Sequence, residues 1–430
     1  RLRDNISDLK TSKFRKNVIF IASELLIPET MQKEITILDM PLPTLEDIKA
    51  KLDKMVSQNK QIDTSELTPD GKERLCKAAL GLTLQEAENA FALAMVNDGK
   101  IDGKDLNVIL AEKMQVIKKT GILEFINTDI KISDIGGLEN LKSWLNKRNN
   151  SWSEAAKKYC LPAPKGVLIT GVPGCGKSLT AKAMSAAWQL PLLKLDFGKI
   201  FSGIVGSSEE NMRRAIKTAE AVAPSILWVD EIEKSLSGMN SNGDSGTSSR
   251  IFGTFLTWMQ EKTAPVFVIA TANNISSLPA ELLRKGRFDE IFFVDLPTER
   301  EREEIFKLHL MKRLKNSDVA SKIDLTSELF KELASQTEGF VGAEIEQVVI
   351  SALYEAFFNN RPLEVQDLIN TIKNVVPLSV TQKEQILSLR QWANIRAVAA
   401  TRKDDMAHYG SKNDSDEDVN ASRGGRALDV

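Results

Sequence analysis

The sequence predicts an α/β fold: a doubly wound parallel sheet followed by a helical lid. Three observations predict it. Short β-rich runs alternate with helical stretches from Val167 onward, the pattern becomes purely helical after Pro297, and a glycine-rich loop joins the first of those runs to a helix. At 430 residues the chain exceeds the roughly 250 to 300 that one hydrophobic core serves, so several domains are expected.

The strands are expected at residues 167–170, 192–195, 226–229, 266–270 and 291–294. Apolar runs of about four to six residues separated by helices are what a parallel sheet covered on both faces requires. Helical periodicity then occupies residues 301–314, 327–335, 343–358 and 365–374. One more helix is expected over 381–400, where Ile386, Leu389, Trp392 and Ile395 recur at helical spacing. Beyond Thr401 the signal fades, and residues 411–430 are polar, acidic and glycine-containing, which reads as a solvated tail. The expected divisions are a nucleotide-binding α/β domain over 129–300, a lid over 301–400 and a disordered tail over 401–430.

The first 128 residues contain an echo of the later domain. Asn17-Val18-Ile19-Phe20-Ile21-Ala22, with Pro28 after it, resembles Val266-Phe267-Val268-Ile269-Ala270 followed by Pro279, and both lead to a run closed by proline, at Pro41 and Pro297. Gly81-Leu82 with Glu86 and Glu88 matches Gly339-Phe340 with Glu344 and Glu346 at one constant offset. Residues 1–128 therefore read as the back half of a degenerate, mostly helical second copy whose front half lies upstream of Arg1; chance similarity between two helical segments is the alternative. This stretch holds no phosphate loop, and Leu25 stands where Asn273 stands later.

Bulk composition narrows the function classes. Apolar residues at 42% and charged residues at 27% fit a globular protein with real cores. Lys plus Arg number 57 against 59 Asp plus Glu, and a net charge of −2 provides no overall positive field to gather nucleic acid. Cys76, Cys160 and Cys175 form neither a CxxC pair nor an even disulfide framework, which points to a reducing compartment. No apolar run approaches the ~18 residues of a membrane span. His309 and His408 are the only histidines, so no HExxH metalloprotease motif exists.

Gly171-Val172-Pro173-Gly174-Cys175-Gly176-Lys177-Ser178 satisfies the phosphate-loop pattern GxxxxGK[ST], follows an expected strand and opens a helical run at Leu179. Its glycines let backbone N–H groups curl around a β-phosphate, and the helix N-terminus adds its positive dipole end. Lys177 supplies a charge for the β and γ oxygens, and Ser178 a hydroxyl for Mg²⁺. Cys175 occupies a spacer position where only the backbone need act. Ile226-Leu227-Trp228-Val229-Asp230-Glu231 is a buried strand ending in two acids, Asp230 to hold the metal and Glu231 to polarise the attacking water. The neighbouring strand leads into Asn273, whose amide is placed to orient that water. The site is thus expected to hydrolyse ATP to ADP with Mg²⁺.

Together these motifs resemble the AAA+ ATPases, in the branch of hexameric unfoldases and remodellers, over residues 130–358. The resemblance implies a P-loop NTPase core with a helical lid. It also implies that Asp134-Ile135-Gly136-Gly137-Leu138 borders the adenine, that Asn273 is the sensor residue, and that Gly342-Ala343 is the lid motif closing over base and ribose. Arg287 lies where the family carries an arginine finger reaching a neighbour's γ-phosphate, which implies a homo-oligomer, a hexamer in that branch. Two positions depart from the pattern: Glu290 replaces a second finger arginine, and Ile204 stands where the pore loop presents an aromatic. With the echo in its first 128 residues, the arrangement is similar to the AAA family of cyanobacteria and algal plastids known as a hypothetical chloroplast reading frame, implying a cytoplasmic or stromal setting.

Two functions follow as expectations. One is an ATP-driven ring that remodels or disassembles a protein client. The other is a nucleotide-controlled assembly switch or scaffold that threads nothing, favoured by Ile204 and the degenerate copy. A nucleic-acid motor has little support from the charge balance.

Overall fold

The computed structural model describes residues 14, 19–20, 35–36, 38, 42–59, 62–119, 121–127, 130–149, 151–152, 156, 158–201, 207–237, 245–284, 286–320 and 322–402. The chain divides into two compact units, residues 1–42 and 43–430, and the helices and strands described below lie in the second.

The second unit opens with four helices, α1 (Leu45–Gln58), α2 (Pro69–Ala79), α3 (Leu84–Asp98) and α4 (Leu106–Lys119). Each of the first three starts at a threonine, Thr44, Thr68 and Thr83, whose hydroxyl accepts a backbone N–H of the first turn. They enclose a small core that includes Ile48, Leu52, Leu75, Phe91, Ile101 and Ile109.

A sheet follows whose strands are β1 (Leu123–Ile126), β2 (Gly166–Gly171), β3 (Leu192–Leu195), β4 (Ser225–Val229), β5 (Val266–Ala272), β6 (Glu290–Val294) and β7 (Val398–Ala399). Their order is β1-β3-β4-β5-β2-β6-β7, with only the β1–β3 pair antiparallel. Between them run α5 (Glu139–Asn146), α6 (Lys177–Trp188), α7 (Phe197–Phe201), α8 (Ser207–Ala221), α9 (Ile232–Ser237) and α10 (Ser245–Glu261). Alternation along β5 shows the double winding directly. Val266, Val268 and Ala270 pack on one face with Met212, Phe252 and Phe255, while Phe267 and Ile269 pack on the other with Leu141, Met184 and Trp188.

After β6 come α11 (Glu299–Arg313), α12 (Ser317–Ala320), α13 (Ser327–Ser335), α14 (Gly342–Phe358), α15 (Val365–Asn374), α16 (Leu378–Thr381) and α17 (Lys383–Arg396). Phe306, Leu310, Leu333, Ile345, Val348 and Leu368 form the lid's own core.

The lid and the first four helices share local devices in the same order. Thr44 and Thr298 each form a capping box with the acid three residues on, Asp47 and Glu301. Thr68 and Thr326 cap α2 and α13. Gly81 (φ 90°) and Gly339 (φ 80°) take left-handed conformations before α3 and α14. Asp105 and Asp367 accept the N–H groups of Asp102 and Glu364 ahead of α4 and in α15.

Three features differ from the sequence expectation. Residues 123–126, read as part of the preceding region, form an edge strand of the main sheet, Leu123 pairing with Leu195. The helix expected over 381–400 stops at Arg396, and the chain returns as β7 beside β6. Ile395, expected on the packed face, is 77% exposed. A spacing of three falls about 60° short of a full turn each time, so three such steps carry the residue to the opposite side. Residues 17–18 and 21–26, Ile204 and the tail from 403 lie outside the described residues.

Candidate active site

The site lies at the carboxyl ends of β2, β4 and β5, where parallel α/β sheets place ligands. β5 sits between β4 and β2, with Val229 beside Ala270 and Ala272 beside Thr170. That register brings together the three segments following these strands, which are distant in sequence.

The phosphate loop leaves β2 at Gly171 (φ 139°), where a Cβ would stand 1.9 Å from the Val294 carbonyl oxygen, so only glycine fits. Gly174 (φ 78°) and Gly176 (φ 86°) are also left-handed, and Gly176 forms the N-cap of α6. Pro173 and Cys175 are the spacers between them. Burial pushes the Cys175 thiol up to about 12, which agrees with a spacer rather than a redox role. Leu179 in the first turn of α6 is 42% exposed.

Lys177 is buried, and its ammonium donates to the carbonyls of Gly171 at 2.9 Å and Val172 at 2.7 Å. Burial draws it down to about 8, against the opposing pull of the Glu233, Glu231 and Asp230 carboxylates. The Ser178 hydroxyl donates to Asp230 Oδ1 at 2.8 Å. The same oxygen accepts the Thr271 hydroxyl at 2.7 Å, and Thr271 Oγ1 in turn accepts the Glu231 N–H at 2.9 Å. Glu231 stands at φ 48°, a left-handed conformation that a non-glycine residue holds only when its surroundings fix it. Its carboxylate accepts the Asn273 amide at 2.9 Å through Oε1, and Lys234 pairs with Oε2. The Asn273 backbone N–H donates to Glu233 at 2.8 Å.

The lid contributes from the other side. Ala343 donates its N–H to the Gly174 carbonyl at 3.0 Å, so Gly342 and Ala343 touch the phosphate loop. In the segment of Asp134, Ile135 and Gly136, a Cβ on Gly136 would meet Ile305 Cγ1 at 2.8 Å, and the Asp134 carboxylate caps Lys131 N at 2.9 Å. The next residues are held by α11: Gly137 N–H donates to Glu304 at 2.9 Å and Leu138 N–H to Glu301 at 3.2 Å.

Lys177, Ser178, Asp230, Glu231 and Asn273 therefore meet in one cluster, flanked by Gly342 and Ala343. Arg287 stands apart: among the described residues no hydrogen bond or ion pair joins it to that cluster, and its buried Nη1 has no hydrogen-bond partner among them. The sequence reading missed Thr271, Glu233, Lys234, Ile305, Glu301 and Glu304. As a signal for Thr271 and Glu233 the sequence offers only that each lies two residues from a motif residue. Ile305 and the two glutamates had none, because their role depends on where α11 crosses Gly136 and Gly137.

Comparison with known proteins gives consistent matches. Residues 167–296 match the ATPase family associated with various cellular activities (AAA), residues 327–368 the AAA+ lid domain, and residues 46–120 the second domain of SpoVK-like AAA ATPases. The AAA domain-containing protein ycf46 of Pyropia yezoensis is 45% identical over 393 residues, 91% of this chain and 77% of that protein. Its namesake in Guillardia theta is 45% identical over 394 residues, 92% of this chain and 75% of that protein. The ATPase family protein 2 homolog of Caenorhabditis elegans is 33% identical over 243 residues, 55% of this chain and 32% of that protein. No helix among the described residues is long and apolar enough to cross a membrane.

Proposed function

Because the chain belongs to the AAA ATPase family, sharing 45% identity with ycf46 proteins over most of its length, we propose that it hydrolyses ATP at this cluster and works as a ring that remodels a protein client. One observation carries the hydrolytic reading. Ser178 and Thr271 converge on a single oxygen of Asp230 while Asn273 holds Glu231, so the metal-binding and water-activating groups form one hydrogen-bonded unit.

The Ser178 hydroxyl and Asp230 carboxylate are hard oxygen donors, the type Mg²⁺ takes alongside water and phosphate oxygens. When bound, Mg²⁺ neutralises charge on the β- and γ-phosphates. Lys177 would exchange its two carbonyl partners for phosphate oxygens, and the loop N–H groups and α6 N-terminus would hold the β-phosphate. Glu231 accepts the proton of the attacking water, and Asn273 fixes the carboxylate that does so. Ile135, Gly136 and Ile305 would border the base, with Gly342 and Ala343 closing the lid side.

Glu231→Gln should retain ATP binding while losing turnover by about 100-fold or more. Turnover within a few-fold of the parent would end the assignment of the general base.

Arg287 supports the ring, since it serves no group of its own chain's cluster and suits a second copy's phosphate. ATPase activity per chain should rise with protein concentration, and Arg287→Ala should abolish that rise. A hexamer, and a stromal or cyanobacterial cytoplasmic setting, belong to the same proposal. Residues 44–119 are read as a degenerate lid, supported by the shared caps and left-handed glycines. Ile204 favours the second reading, a nucleotide-controlled scaffold; loss of a folded client's structure during ATP turnover would decide for remodelling.

A further inference from the structure

A carboxylate that polarises water needs one oxygen turned to that water. In this chain both oxygens of Glu231 are already engaged: Asn273 Nδ2 donates to Oε1 at 2.9 Å, and the Lys234 ammonium pairs with Oε2 from one turn along α9. The backbone fixes this pairing, because Lys234 N–H donates to the Glu231 carbonyl at 2.9 Å and so closes the turn at which Glu231 takes its left-handed φ of 48°. Asn273 approaches from β5, across the sheet, whereas Lys234 approaches from the solvent side with 70% of its side chain exposed. The two partners are therefore unequal. The amide comes from the end of β5 within the cluster, while the ammonium holds the other oxygen from the exposed side.

We propose that Lys234 is a positioning residue that restrains Glu231, holding the hydrolytic carboxylate in a resting pose that must be released before water is activated. The inference rests on the assignment of Glu231 as general base. Because the pair is exposed, its grip is modest and easily broken by a competing acid or by salt. That makes it a brake on turnover rather than a block.

The test uses the full chain with Mg²⁺ and saturating ATP, comparing the parent with Lys234→Met, which keeps the stem without the charge, and Lys234→Arg, which keeps the charge. Lys234→Met should raise kcat about two- to fivefold, the range set by one exposed ion pair, with KM for ATP within twofold of the parent. Lys234→Arg should restore the parental rate. In a Glu231→Gln background, Lys234→Met should leave the residual rate unchanged, because the lysine then has no carboxylate to restrain. A Lys234→Met rate equal to or below the parent's overturns the inference, as does the same acceleration in the Glu231→Gln background. Absence of turnover in the parent itself overturns the hydrolytic reading and this inference with it, whereas parental turnover with an unaccelerated variant overturns this inference alone.

Discussion

Replacing Thr271 by valine should damage the site more than its modest chemistry implies. The residue is 1% exposed, and its hydroxyl performs two tasks: it donates to Asp230 Oδ1 at 2.7 Å and accepts the Glu231 N–H at 2.9 Å. Valine keeps the shape and performs neither. Loss of a hydrogen bond to a charged group costs about 1.5 to 3 kcal/mol, and a buried donor left without a partner about 1 to 3 kcal/mol. Both losses come from one hydroxyl and are coupled, so about 3 kcal/mol is expected rather than the full sum. For a core of this size that corresponds to a fall in Tm of about 6 to 12 °C. Turnover should fall at least about tenfold, since the Glu231 backbone is held at positive φ partly by this contact. Thr271→Ser is the control: it keeps both hydrogen bonds and loses one methyl, about 0.8 kcal/mol. Thermal unfolding followed by circular dichroism, beside ATP turnover on the same samples, reads both quantities. Equal melting and equal turnover for the valine and serine variants would refute the network.

Other sites give further expectations. Gly81→Ala would place a Cβ 1.7 Å from the Ala221 carbonyl oxygen at a φ of 90°, so the four-helix bundle should lose its close fit to α8 and become the first region to exchange amide hydrogens. Burial pushes Lys113, which donates to the carbonyls of Ala78 and Val222, down to about 7. Between that value and about 10.4 the unfolded chain binds a proton that the folded chain lacks, so stability should rise with pH across the window, and denaturant titrations of Lys113→Met should show a flatter slope. Arg390 grips Asp295 through Nε and Nη2 at 3.0 to 3.1 Å, with both side chains almost fully buried. Arg390→Ala should cost about 3 kcal/mol in unfolding titrations, because it removes the counter-charge of a buried carboxylate.

The residues proposed as catalytic were legible because each belongs to a short motif. The phosphate loop needs only a strand, left-handed glycines and a helix start, all written within eight residues. Asp230 and Glu231 needed only a buried strand to end. Thr271 and Glu233 were not legible as partners, because a sequence does not say that β5 lies beside β4 in the register that pairs Val229 with Ala270. β7 has two residues and β1 four, too few for alternation to separate them from a loop. Lys234 is by exposure a surface charge, and its position three residues from Glu231 becomes meaningful only with the turn between them.

Those two short strands occupy the places where the helical regions meet the sheet. β1 joins the four-helix bundle to one edge of the sheet and β7 returns the chain from α17 to the other, so each edge ends in a strand of only four or two residues, which leaves little backbone for further pairing. The return does more than end the sheet. Glu301 is only 5% exposed, yet its carboxylate accepts from three separate segments: Thr298 N–H in its own cap at 2.8 Å, Leu138 N–H beside the base-bordering segment at 3.2 Å, and the Thr401 hydroxyl just after β7 at 2.9 Å. A buried carboxylate is tolerated only when its acceptor capacity is filled, so α11, Leu138 and the returning chain favour one another's placement. Displacing any one of them leaves part of a buried acid's acceptor capacity unfilled. The lid's position over the cluster is therefore coupled to the route of the chain after the lid.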